Sequence, residues 1–243
     1  MRMMFFARRC AKELVRDPLN LLFGLGFPVV LLLLLSAIQA NVPIDLFQIE
    51  SLAPGVTVFG MSFITLFSAT LIARDRESCF LQRLYTTPLR SVDFILGYML
   101  PILPISLMQT AVCYLVAAAL GLSVTINVVY AIFTMIPVAV FYTALGLLCG
   151  SVFSVKQVGG ICGALLTNFS AWLSGIWFDL KLVGGAFEKL ANILPFLHAV
   201  EMERAMIDGE WALAFSHMWP VGVYAVVVAV SAVGLFLRQM KRG

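Results

Sequence analysis

Six long apolar stretches, at about 19–40, 52–73, 92–120, 124–150, 158–178 and 218–237, alternate with short polar breaks. Each is near the roughly 20 residues that a helix needs to cross a bilayer. The pattern therefore predicts an all-α polytopic membrane protein of six spans, with one transmembrane domain over 1–243. Two other stretches are amphipathic. Residues 3–16 place Met3, Met4, Phe6, Ala7, Cys10, Ala11, Leu14 and Val15 on one side and Arg8, Arg9, Lys12 and Arg16 on the other, with Phe5 as the one misfit. A helix so divided, 1–18, lies along the membrane interface. Within 179–217, Phe187, Leu190, Ile193 and Leu194, and then Leu197, Val200, Met202, Ala205 and Met206, follow helical spacing around Pro195. This predicts two short re-entrant helices before the last span. Pro101, Pro104 and Pro137 predict kinks or tilts in the third and fourth spans.

A charged island at 74–90 interrupts the apolar pattern between the second and third spans. As a helix ended by Pro88, it carries Phe80, Leu81, Leu84 and Tyr85 on one stripe and Arg76, Cys79, Gln82 and Arg83 opposite. Glu77 falls inside the apolar stripe. It is either a first-turn acid favoured by the helix dipole or a charge meant for a partner's pocket.

Composition strengthens the membrane reading: 61% of the residues are hydrophobic, 12% are charged and the mean hydropathy is +0.99. Soluble domains carry about twice that share of charge. Lys and Arg then set the orientation. Thirteen of the 16 fall at the N-terminus, at 74–90, at Lys156 and at the C-terminus, whereas Lys181, Lys189 and Arg204 share the 179–217 segment with six acids. Both termini are thus expected in the cytoplasm, and the net charge of +3 is a topology signal with no message about nucleic acid. The basic start, the apolar run to Leu35 and Ser36-Ala37-Ile38-Gln39-Ala40 also fit a signal peptide. The long, helically patterned basic region and the five spans that follow favour a retained first span.

The chemistry on offer is sparse. Gly55-Val-Thr-Val-Phe-Gly60-Met61-Ser62 has phosphate-loop spacing, but Met61 stands where the lysine belongs and no strand precedes it. No ATP site is expected in this chain. No charged residue occurs from Phe94 to Val155, so the midplane relay of an ion-coupled carrier is missing there and the energy must come from elsewhere. The five cysteines fall in spans or on the basic side, with no spacing for a disulfide framework or a metal. His198 reads as a structural polar group beside the Pro195 break, and no His, Cys and acid constellation suggests a catalytic site. Gly146 with Gly150 and Gly159 with Gly163 have G-x-x-x-G spacing, which serves packing within one subunit or a dimer seam. The fifth span carries Asn168, Ser170, Trp172, Ser174 and Trp177, a polar and aromatic mixture suited to a path for an amphipathic substrate or to helix contacts and interfacial anchoring.

The chain resembles the ABC-2 type permeases, the membrane subunits of type V ABC exporters, over almost its whole length. Arg76-Glu77-Ser78-Cys79-Phe80-Leu81-Gln82-Arg83-Leu84, followed by Thr87-Pro88-Leu89 and Gly97, is similar to that family's Arg-Glu-x-Gly-Thr-x-Glu-x-Leu run. Ser78 and Cys79 replace the usual Gly-Thr, Gln82 replaces Glu and Tyr98 replaces Lys. The resemblance implies that 74–90 is a coupling helix seated in a separate ATP-binding subunit that holds ATP and Mg. Arg76, Glu77, Phe80, Leu81, Arg83 and Leu84 would form the contact. It also implies a partner permease, either a second copy or a sister chain, with a path lined by the second and fifth spans, which places Phe59, Phe63, Asn168 and Trp172 along it. The expected function is ATP-driven export of a drug, antimicrobial peptide or lipid across a bacterial inner membrane; an ATP-independent channel or assembly scaffold is the alternative.

Overall fold

A computed structural model describes residues 2–42, 47–78, 91–178 and 180–240. Among the described residues the chain is helical, without strands. Helix α1 is Arg2–Val15. Asp17 and Pro18 turn the chain, proline being suited to a first helical position, and Pro18–Leu21, a π segment Leu22–Gly26 and Phe27–Gln39 run on as α2. Then follow α3, Ile49–Glu77; α4, Ser91–Met99; α5, Ile102–Ala119; and α6, Ile126–Val152. Val155–Gly160, the π segment Ile161–Leu166 and Thr167–Leu173 make α7. The chain closes with α8, Leu180–Val183; α9, Gly185–Ile193; α10, Pro195–Asp208; and α11, Trp211–Met240.

Among the described residues, five helices are long and apolar enough to span a membrane: Leu22–Gln39, Ile49–Glu77, Val92–Ala119, Ile126–Val152 and Trp211–Arg238. The expected fifth span, 158–178, is not among them. Its helix, α7, ends at Leu173, and Lys156, Gln157 and Asn168 dilute its apolar character. The helix that holds the last expected span begins at Trp211, so residues 211–217 are continuous with it. Leu100 and Pro101 break the third span into α4 and α5, whereas Pro137 lies within a continuous α6.

Helix α3 is the axis of the bundle: 89% of its apolar window is buried, against 22% for α2 and for α11. Four hydroxyls make that burial tolerable, because each donates to a carbonyl. Thr57 and Ser62 bond within α3 to Ala53 and Phe59, at 2.7 Å each, and Thr65 and Ser68 cross to Tyr142 and Thr143 of α6, at 2.8 and 3.2 Å. The crossing needs small residues. A methyl group on Gly146 would lie 2.5 Å from Ser68 Cβ, and one on Gly150 would lie 2.6 Å from the Ala69 carbonyl. The first G-x-x-x-G pair thus serves packing within the subunit, while Gly159 has open space beside it and Gly163 only ordinary contact with Leu66. Gly60, the second glycine of the spurious phosphate loop, packs under Gln109.

The middle of the apolar side of α1 is covered by protein, while Met4 and Val15 stay exposed. Phe6 lies edge-on to Phe94 and Tyr98, with centroids 5.7 and 4.9 Å away, and Cys10 and Leu14 are buried with it. At the other end of the bundle, Gly209 (φ +80°) ends α10 in the left-handed conformation that glycine adopts at little cost.

Candidate functional site

The residues richest in polar contacts sit where α3 ends, beside α1. Asp75 is 3% exposed, and its two oxygens accept Arg9 Nη1 and Nη2 at 2.6 Å each while Tyr98 OH donates to Oδ2 at 2.7 Å. Such a fork-on-carboxylate arrangement fixes orientation as well as charge. Arg9 also meets Glu13 at 2.8 Å, and Arg74 meets Asp17 at 3.3 Å. On the opposite side of the same turn, Arg76 Nη1 donates to the Ser151 carbonyl and Nη2 to that of Phe153 at 2.6 Å, so a cation rests on the carbonyl-rich end of α6. Glu77 Oε1 accepts the Val155 amide at 2.8 Å, where α7 begins under a Ser154–Gln157 capping box. One helical turn therefore ties α3 to α1, α4, α6 and the start of α7.

Arg76 and Glu77 thus make contacts inside this chain, at a turn that the sequence pattern assigned to a docking helix. Residues 74–77 are the last turn of α3; Phe80, Leu81, Arg83 and Leu84 lie outside the described residues. The suggested path residues fall into two groups. Phe59 and Phe63 are buried and stack edge-on at 5.8 Å, with Phe59 6.0 Å from Trp177 and Phe63 5.4 Å from Phe27. Asn168 and Trp172 are exposed; Asn168 Nδ2 donates to Ala164 O, one turn back at 2.8 Å, and Trp172 lies 6.4 Å from Phe169.

At the opposite end is a cavity of about 660 Å³ whose lining includes Trp177, Phe178, Lys181, Glu201, Arg204 and His217. Arg204 bonds Glu201 at 2.8 Å and reaches the Ser51 and Gly175 carbonyls at 3.3 and 3.2 Å, which fastens α10 to α3 and to the end of α7. His198, which looks solitary in the sequence, has a partner. Its Nδ1 is 2.9 Å from Nδ1 of His217 and its Nε2 is 2.9 Å from the Asn192 carbonyl. Because that carbonyl only accepts, His198 carries its proton on Nε2 and His217 donates through Nδ1.

Glu203, like Asp75, has no role in the sequence pattern. Glu203 is fully buried between α10, α5 and α6; Tyr114 OH donates to Oε2 and Thr134 Oγ1 to Oε1, each at 2.7 Å. Burial pushes its carboxyl up to about 8, against the opposing pull of those two donors. The signal was in the sequence, since Glu203 sits one turn from Ala199 and Met206 inside the apolar stripe of α10, as Glu77 does in its own segment. Cys10 is no nucleophile, because burial raises its thiol to about 12. No cluster of three metal-binding side chains occurs among the described residues.

A family model described as ABC-2 type transporter matches residues 2–207. The chain belongs to the ABC-2 type transporter family. It is 25% identical over 231 residues to nodulation protein J of Bradyrhizobium diazoefficiens, covering 93% of this chain and 85% of that one. With nodulation protein J of Sinorhizobium fredii it shares 23% identity over 228 residues, 92% and 84% of the two chains. With the probable multidrug ABC transporter permease YbhR of Escherichia coli K12 it shares 22% over 205 residues, 82% of this chain but 54% of that protein. The chain thus spans about half of YbhR. ABC-2 permeases are membrane subunits of transporters and work with ABC ATP-binding subunits. The membrane class and the family expected from the sequence are therefore established.

Proposed function

We propose that this ABC-2 permease is the transmembrane half of an ATP-driven exporter of an amphipathic or hydrophobic substrate, with both termini in the cytoplasm of a bacterial cell and α7 as a sixth, shorter span. The observation that carries the reading is the junction at the end of α3. The segment expected to receive the ATPase, 74–90, begins in the turn in which Asp75, Arg76 and Glu77 grip four other helices. Displacement of that segment is delivered to the buried axis of the bundle and, through the Glu77 carboxylate on Val155 N, to the start of α7. Helix α7 bears the exposed Asn168, Leu165, Phe169 and Trp172. An amide on an apolar face is costly against lipid, so this face is assigned to a path shared with a second permease. The cavity beneath α9 and α10 is its exit. The multidrug name of YbhR agrees with a broad hydrophobic cargo.

The test is co-expression with a candidate ATP-binding subunit and reconstitution of the pair. Glu77→Lys should uncouple ATP hydrolysis from export while leaving the permease folded. Unchanged coupling in that variant, or substrate flux that persists without any ATPase, sinks the proposal; the second result supports a channel.

A further inference from the structure

We infer that the groove between α1 and the head of α2 binds the phosphate headgroup of an anionic phospholipid. The groove has a volume of about 830 Å³, and five cations face two carboxylates in its lining. Both carboxylates are engaged: Glu13 by Arg9 and Asp17 by Arg74. Arg9 is further committed to Asp75. Arg8, Lys12 and Arg16 remain, each exposed and, among the described residues, none with a side-chain partner. Their spacing of four residues sets Arg8 and Lys12 on one stripe of α1, with Arg16 one residue past its end on the same line, facing away from the stripe that packs on Phe94 and Tyr98.

Two features favour a lipid over a soluble phosphate. Pro18 lines the groove and opens the first apolar helix, so the cations stand at the level where the bilayer's headgroups begin. Phe5, 70% exposed, lines the same groove within the basic stripe. A phenyl ring there suits an anion that brings acyl chains with it and has nothing to do for a free phosphate. The site does not depend on the identity of the exported substrate.

The full-length protein, purified in a neutral detergent and depleted of lipid, is titrated by native mass spectrometry with phosphatidylglycerol, phosphatidylcholine and glycerol 3-phosphate. Phosphatidylglycerol should bind selectively. The triple variant R8Q/K12Q/R16Q should weaken it on the order of a hundredfold, since each cation lost near an anionic lipid costs about fivefold. Lys156→Gln with Arg238→Gln, which removes two exposed cations elsewhere, should leave it unchanged, and R8K/R16K should retain it. If the triple variant does not elute as a folded species, the single variants carry the test, at about fivefold each. Equal binding of phosphatidylcholine, or wild-type affinity in the neutralised variants, overturns the inference. So does displacement of phosphatidylglycerol by equimolar glycerol 3-phosphate, which would mark a free-phosphate site. Loss of an ATP-binding subunit from the variants with lipid binding intact would assign the groove to that protein and overturn it as well.

Discussion

Replacing Asp75 should loosen the junction in two separable steps. The carboxylate is 3% exposed, accepts both Arg9 nitrogens at 2.6 Å and accepts Tyr98 OH at 2.7 Å. Removing one partner of a fully buried ion pair costs about 3–5 kcal/mol. Here the Arg9 side chain is 34% exposed and keeps Glu13 at 2.8 Å, so water and the second acid absorb part of the loss and about 2 kcal/mol remains. Asp75→Asn still offers an oxygen to Tyr98 and should show that loss alone. Asp75→Ala also strands the buried phenol, adding about 1–3 kcal/mol, for a total near 4. Unfolding by SDS titration in mixed micelles, followed by tryptophan fluorescence, reads both values. A double-mutant cycle with Arg9→Gln isolates the pair and should give a coupling of about 1–3 kcal/mol. Additive effects in that cycle, or an Asp75→Ala protein within about 0.5 kcal/mol of wild type, would refute the reasoning.

Gly146→Ala drives a methyl group against Ser68 Cβ and the Thr65 carbonyl, and should cost about 1–3 kcal/mol in the same assay; Gly159→Ala meets nothing within 4 Å and should be neutral within about 0.5 kcal/mol. Glu203 titrates higher folded than unfolded, so its contribution is complete below about pH 4.5 and is lost as pH rises toward about 8. Wild-type stability should fall across that window by at most about 1.4 kcal/mol per pH unit, and Glu203→Gln should flatten the slope. Phe59→Ala removes a buried ring from between Phe27, Phe63 and Trp177 and should cost about 3–5 kcal/mol. Trp172→Ala, on an exposed face, should leave unfolding unchanged while lowering export by the reconstituted complex.

That the chain enters a membrane, where most of its long helices run and which end of the bundle is basic can all be read along the chain. Those properties depend on hydropathy, helical period and the placement of Lys and Arg, all of which are written locally. The sequence also carried the amphipathic division of α1 and the split of 179–217 into short helices around Pro195. It could not say what covers an apolar face. Lipid and protein interior are equally free of water, so the stripe of α1 reads as interfacial whether it meets acyl chains or, as here, Phe94 and Tyr98. The same ambiguity hid the central place of α3 and the separation of Phe59 and Phe63 from Trp172. Charged residues suffered it in reverse. Asp75 looks like an end residue, and Glu203 like a lone acid in an apolar stripe, until tertiary contacts supply Arg9 and Tyr98 to the first, and Tyr114 and Thr134 to the second. Only packing determines whether an acid next to an apolar run is solvated or buried, because its partners come from positions 66 and 23, or 89 and 69, residues away.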